Sequence, residues 1–124
     1  MNVELYEVST EKNVLGCDIF EFSDDFFLYL AKSDFSNIRS AKAEKITIDD
    51  EPIELKLVYL SSFIRKVLID FLQGELVNIV EECMSNLGDS PSKSEFKEYT
   101  EDLKELVRFI KALNLSKYSY LKRV

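Results

Sequence analysis

Histidine and tryptophan are missing from this chain of 124 residues, which holds only 3 glycines, 2 prolines and 2 cysteines. The missing imidazole excludes the most. Histidine is the side chain that titrates near neutrality, and it serves Ser-His, Cys-His and most zinc chemistries. Glycines at 16, 74 and 88 cannot build a phosphate-cradling loop. Scarce glycine and proline also leave little punctuation, which favours long elements joined by few loops. Cys17 and Cys83 stand alone, without the paired spacing of a metal site or a small disulfide scaffold. Two buried thiols in a reducing cytoplasm are expected.

Long apolar runs are missing too. The longest uncharged stretch of the apolar middle, Leu57 to Ile64, has 8 residues and includes two serines, against the ~20 apolar residues of a spanning helix. Glu4, Glu7 and Glu11 stand where a secretory signal would carry a basic start and an apolar run. A soluble, cytoplasmic protein is expected.

What is present fits one domain over residues 1–124, because domains cluster near ~100–150 residues. Hydrophobic content of 46% and charged content of 31% are near globular averages, so the chain should fold. Its 9 Phe and 6 Tyr supply bulky core material.

Asn2 to Phe22 reads as two strands around the polar turn Ser9-Thr10-Glu11-Lys12-Asn13. Ser23 followed by Asp24-Asp25 then caps a helix running to about Lys32: the hydroxyl accepts an orphan N–H, and the carboxylates suit the positive helix end. The Phe26-Phe27-Leu28-Tyr29-Leu30 run is apolar on all sides, so neighbours or a partner must bury it. A second hairpin is predicted from Lys45 to Ile48 and Ile53 to Leu57, around Asp49-Asp50-Glu51-Pro52. Ile53, Leu55 and Leu57 alternate with Glu54 and Lys56, as in a half-buried strand.

From Leu60 the period turns helical, with Phe63, Ile64, Val67, Leu68, Phe71 and Leu72 as a wide apolar stripe. The stripe continues through Gly74 by way of Leu76, Ile79, Cys83 and Leu87, which predicts one long helix closed by Gly88. Ser92 and Glu95 form a capping box for a last helix. Along it Phe96, Tyr99, Leu103, Leu106, Ile110 and Leu113 make a narrow seam, the pattern of pairing with the preceding helix or with a second copy. Asn114 is the expected stop, and the tail Lys117 to Arg123 reads either as a short strand or as an ordered arm. The fold expected is α+β: N-terminal hairpin strands, a short helix, a second hairpin, then two long antiparallel C-terminal helices packed on the sheet.

Charge is divided unevenly. Met1 to Glu51 carries 12 Asp+Glu against 5 Lys+Arg, whereas Pro52 to Val124 carries 11 of each. Two clusters concentrate the excess: Asp18, Glu21, Asp24 and Asp25 at the strand-to-helix junction, and Asp49, Asp50 and Glu51 at the hairpin tip. Helix-end electrostatics account for Asp24 and Asp25, and a solvated turn for the Asp49 run. A glycosidase would need two carboxylates flanking a sugar cleft, and a calcium loop would need alternating acids around a central glycine. The calcium pattern is absent, and the acidic clusters leave paired carboxylates open as a third reading, a small carboxylate-based hydrolase; with histidine missing, no enzyme, metal or cofactor is expected. Lys117, Lys122 and Arg123 are too few to hold nucleic acid against a net charge of −7.

A concentrated field of one sign speeds encounter with oppositely charged partners, so these seven carboxylates are the expected contacts for a basic protein. In size, acidity and lack of catalytic residues the chain resembles bacterial toxin-immunity proteins as a class. That resemblance implies one-to-one inhibition of a toxin domain, often a nuclease, and it assigns no binding residues. The alternative is a structural or adaptor domain, as in phage or secretion assemblies, that forms homodimers through the Phe96 to Leu113 seam.

Overall fold

The computed structural model describes residues 2–87 and 93–123, with side chains at all of these except 82, 83, 86, 87 and 93–99. The fold is α+β, with a five-stranded antiparallel sheet and three helices. Strands β1 (Asn2–Val8) and β2 (Val14–Glu21) form the first hairpin and lead into helix α1 (Asp24–Lys32) and a 3-10 turn at Asp34–Asn37. Strands β3 (Lys42–Ile48) and β4 (Glu51–Tyr59) form the second hairpin, ahead of helices α2 (Ser62–Leu87) and α3 (Lys93–Leu113). The tail becomes strand β5 (Tyr120–Lys122). Gly88 and the Ser92 end of the capping box lie outside the described residues, as do the side chains of Glu95, Phe96 and Tyr99.

Strand order is β2-β1-β5-β4-β3, so the last strand made is the central one. Leu5 and Val58 both register with Leu121, and Tyr6 and Tyr59 both register with Tyr120. The hairpins therefore do not pair along β1 and β4; three residues from the C-terminus join them. Arg123 then locks the tail by donating to the carbonyl oxygens of Phe35 and Ile38 at 2.6 and 2.7 Å, and to that of Arg39. Arg65 works likewise at the start of α2, donating to Leu113 (2.7 Å), Leu115 (2.8 Å) and Tyr118 (2.6 Å) carbonyls and so filling acceptors that the end of α3 leaves open.

One sheet face carries Val3, Leu5, Phe20, Val58 and Leu121 against the helices, in a core that includes Phe27, Leu30, Leu68, Leu72, Leu106, Phe109 and Leu113. Phe109 is met edge-on by Phe20 from β2 and by Phe35 from the 3-10 turn, at centroid distances of 5.0 and 6.2 Å. The other face has a smaller cluster of Tyr6, Ile46, Leu57 and Tyr120. Leu15 has no partner in the β1–β2 ladder, where Glu7 registers with Gly16 and Val8 with Val14. This bulge turns Val14 to the second cluster.

Several expectations change. Leu60 precedes α2: it is buried, its N–H donates to the Ser119 carbonyl at 2.8 Å, and Ser61 caps the helix through Ile64 N–H at 3.2 Å. Phe63, read as part of the buried stripe, is 72% exposed. The buried face of α3 centres on Leu106, Phe109, Ala112 and Leu113, with Leu103 and Ile110 at its margin. A globular helix needs a wider stripe than a two-position seam. Cys17 is exposed on β2, because helices cover only the opposite sheet face. Within α1, Phe26, Phe27 and Leu30 are buried, whereas Leu28 and Tyr29 remain exposed.

Candidate functional site

The first acidic cluster is built where β2 hands the chain to α1. Ser23 caps α1 by accepting from Phe26 N–H at 3.3 Å. Its own hydroxyl and amide both donate to the Asp102 carboxylate of α3, at 2.6 and 2.9 Å. One helical turn on, Glu105 accepts from Glu21 N–H at 3.0 Å. Arg108 sits at the next step of the same face. It binds Glu105 at 2.7 Å, Asp18 at 2.9 Å and the Ile19 carbonyl at 2.6 Å, and its guanidinium stacks 4.1 Å from the Phe20 ring centroid.

Three α3 side chains thus grip the end of an edge strand. Ile19 C=O and Glu21 N–H are satisfied as a neighbouring strand would satisfy them, which removes an open edge from aggregation. At the strand's other end Thr47 N–H donates to the Lys12 carbonyl at 2.8 Å, and Asn13 bridges Thr47 in parallel sense. Arg108 hydrogen bonding, reinforced by its charge, holds the Glu105 carboxyl below the usual range. The same bond to Glu105 raises the guanidinium pKa further.

Of the predicted contact residues, Asp18 is half-buried, engaged by Arg108 and reached by the Tyr118 hydroxyl at 3.4 Å. Glu21, Asp24 and Asp25 are exposed, and Leu28 one turn into α1 is exposed with them. Asp49, Asp50 and Glu51 are exposed at the second tip. The two clusters do not adjoin. The tip follows Thr47, which meets the start of β2, whereas Glu21, Asp24 and Asp25 follow its end; several residues at about 3.3 Å each lie between.

The tip itself is a two-residue turn between the paired Ile48 and Glu51, with φ of 50° at Asp49 and 64° at Asp50. Both residues are left-handed, as in the turn that suits hairpin twist, and aspartate tolerates that region better than most side chains.

Sequence reasoning missed Asp102, Glu105 and Arg108. They belong to the half of the chain with balanced charge, yet the fold sets two of their carboxylates beside the acidic junction. Their three-residue spacing on one side of the apolar seam was the available signal.

The less covered sheet face carries a second polar group. Lys12 donates to the Tyr120 hydroxyl at 2.6 Å and lies 3.9 Å from Glu44, Lys122 lies 3.9 Å from Glu4, and Tyr6 donates to Glu4. Burial, with the Glu4 bond and charge adding to it, pushes the Tyr6 phenol far above its ordinary range. Partial desolvation and then Glu4 raise the nearby Cys17 thiol, which keeps it protonated at neutral pH. These groups neutralise one another. Among the described residues no group of three or more Cys, Asp or Glu is placed to hold a metal ion, and no helix is long and apolar enough to cross a membrane.

No known protein family, curated protein or solved structure matches this chain.

Proposed function

We propose that the protein is a non-enzymatic binding protein whose β2–α1 junction docks on a basic protein surface, in the manner of an immunity protein covering a toxin domain. The observation that carries this reading is the division of labour at the junction. Asp18, Asp102 and Glu105 are occupied within the chain, while Glu21, Asp24 and Asp25 project from a backbone that α3 holds in place. Preorganised carboxylates lose little freedom on pairing with Arg and Lys, and exposed Leu28 supplies adjacent apolar contact. The Asp49 to Glu51 tip serves as a second, separate charge that steers approach.

The test is partner capture with three proteins: the parent chain, a junction variant (Glu21→Lys, Asp24→Lys, Asp25→Lys) and a tip variant (Asp49→Lys, Asp50→Lys, Glu51→Lys). A basic protein retained by the parent chain should be lost by the junction variant. The tip variant should retain it, with slower association and a weaker dependence on salt. Unchanged capture and salt dependence in the junction variant would sink the reading.

A further inference from the structure

The two edges of the sheet are finished differently. Side chains of α3 seal the far end of β2, whereas β3 at the other edge meets only the Lys12–Asn13 turn, at Thr47. Thr47 registers with Pro52, which has no N–H to give, and its own N–H points away from β4 to Lys12. Inward and outward pairs alternate along an antiparallel ladder. The N–H and C=O groups of Ala43 and Lys45 therefore also face outward, and among the described residues no neighbouring strand or turn bonds them.

The same stretch is basic within the acidic half of the chain. Of the 5 Lys+Arg in residues 1–51, three stand at Arg39, Lys42 and Lys45, and Lys56 registers with Ala43 from β4. All four are exposed, and none takes part in an ion pair among the described residues. Of the acids nearby, Glu44 is matched by Lys12 at 3.9 Å, which leaves exposed Glu54 opposite Lys45. Asp49, Asp50 and Glu51 lie beyond Thr47, at the other end of the hairpin.

We propose that the open edge of β3, from Lys42 to Lys45, takes an acidic extended segment of another protein as an added antiparallel strand. Backbone pairing with Lys45 and Ala43 supplies contacts that any sequence can make, and the side chains supply the choice. The pleat fixes which positions matter. The incoming residue opposite Lys45 and the one three places later, opposite Lys42, lie on different faces, and each meets an ammonium with no partner in the chain. Asp or Glu at both positions is the selected pattern. The residue after the first acid faces Glu44, where a third carboxylate is repelled, and the next lies against the small Ala43 side chain. Pairing starts at Lys45 because the Lys12 carbonyl occupies the edge at Thr47, and about 13 Å of strand is open. Lysine on a sheet edge deters indiscriminate pairing, and here it deters every strand but an acidic one. This inference is independent of the acidic junction.

The probe is a blocked peptide, acetyl-Glu-Thr-Val-Glu-Val-Thr-amide, titrated into the full chain at low salt while backbone amide resonances are followed. Shifts should centre on Ala43 and Lys45, and exchange of their amide hydrogens should slow. Replacing either glutamate of the probe by glutamine should weaken binding about threefold. Methylating the nitrogen of its first valine, which faces the Ala43 carbonyl, should abolish binding with the charge unchanged. In the protein, Ala43→Pro removes one outward donor, a change that an edge strand tolerates, and should weaken binding about fivefold or more with little change in Tm. Lys42→Glu with Lys45→Glu should reject the probe and accept its counterpart carrying lysine in place of both glutamates. Any of four results would overturn the proposal: no shift at millimolar peptide, binding indifferent to the methylated nitrogen, tighter binding of an oligothymidylate at the same amides, or a parent chain that sediments as a dimer broken by Ala43→Pro.

Discussion

The two acidic regions carry similar charge on different mechanical footings. The β2–α1 junction is gripped from below by Asp102, Glu105 and Arg108, and the ring of Phe20 beneath it is wedged against Phe109. The Asp49–Asp50 tip is held by its own hairpin ladder, and the ties to the first turn reach that hairpin further back, at Thr47 and Glu44. A charge on a braced backbone is suited to a fixed contact, whereas a charge on a self-contained turn is suited to steering.

The strongest way to break this contrast is to cut what the two regions share. Leu121 is fully buried in the strand that pairs with both hairpins. Leu121→Ala should cost about 2–5 kcal/mol and lower the denaturation midpoint in one transition. Two transitions would mean that the hairpins fold independently.

Asp102→Ala sharpens the contrast. It strips the acceptor from both Ser23 donors, at about 1–3 kcal/mol. Hydrogen exchange should accelerate at the amides of Ser23 to Phe27 and stay unchanged at Ile46 and Ile53. Equal acceleration at both sites would erase the distinction.

Asp50→Gly acts on the tip alone. Relieving a non-glycine residue at positive φ, and one of three adjacent negative charges, should stabilise the protein by about 0.5–1 kcal/mol. Its thermal denaturation should shift upward while exchange at the junction stays as before.

The smallest effect expected is pH-dependent. Glu105 has its carboxyl pKa lowered in the folded chain, chiefly by the Arg108 hydrogen bond. Its contribution is therefore present above the unfolded value of ~4.3 and is lost as pH falls through the folded one. Between pH 6 and pH 3.5 the urea midpoint of Glu105→Gln should fall less than that of the parent chain.

Much of the local structure was legible because it depends on neighbours in sequence. The Ser9–Asn13 turn, the Ser23 cap with Asp24 and Asp25, and the alternation through Ile53, Leu55 and Leu57 all express short-range chemistry. The face of a helix was harder to read. Leu103 and Ile110 fit the seam as well as Leu106 does, and only the arrival of Phe20 and Phe35 beside Phe109 makes Leu106, Phe109 and Leu113 the centre. Phe63 failed for a related reason: an apolar residue in phase with a stripe is buried only if another element reaches it, and none among the described residues does.

The candidate site divides in the same way. Amino-acid order determined where carboxylates are dense, which turns and caps they flank, and that no imidazole is available for catalysis. Tertiary structure decided which of those carboxylates remain unspent, because pairing across long separations depends on geometry that no local pattern contains. Asp18 looked like its neighbours until Arg108, ninety positions later, claimed it. The C-terminal tail likewise became the middle of the sheet, since the apolar site of Leu121 lies between Leu5 and Val58, on strands of two different hairpins that no local pattern brings together.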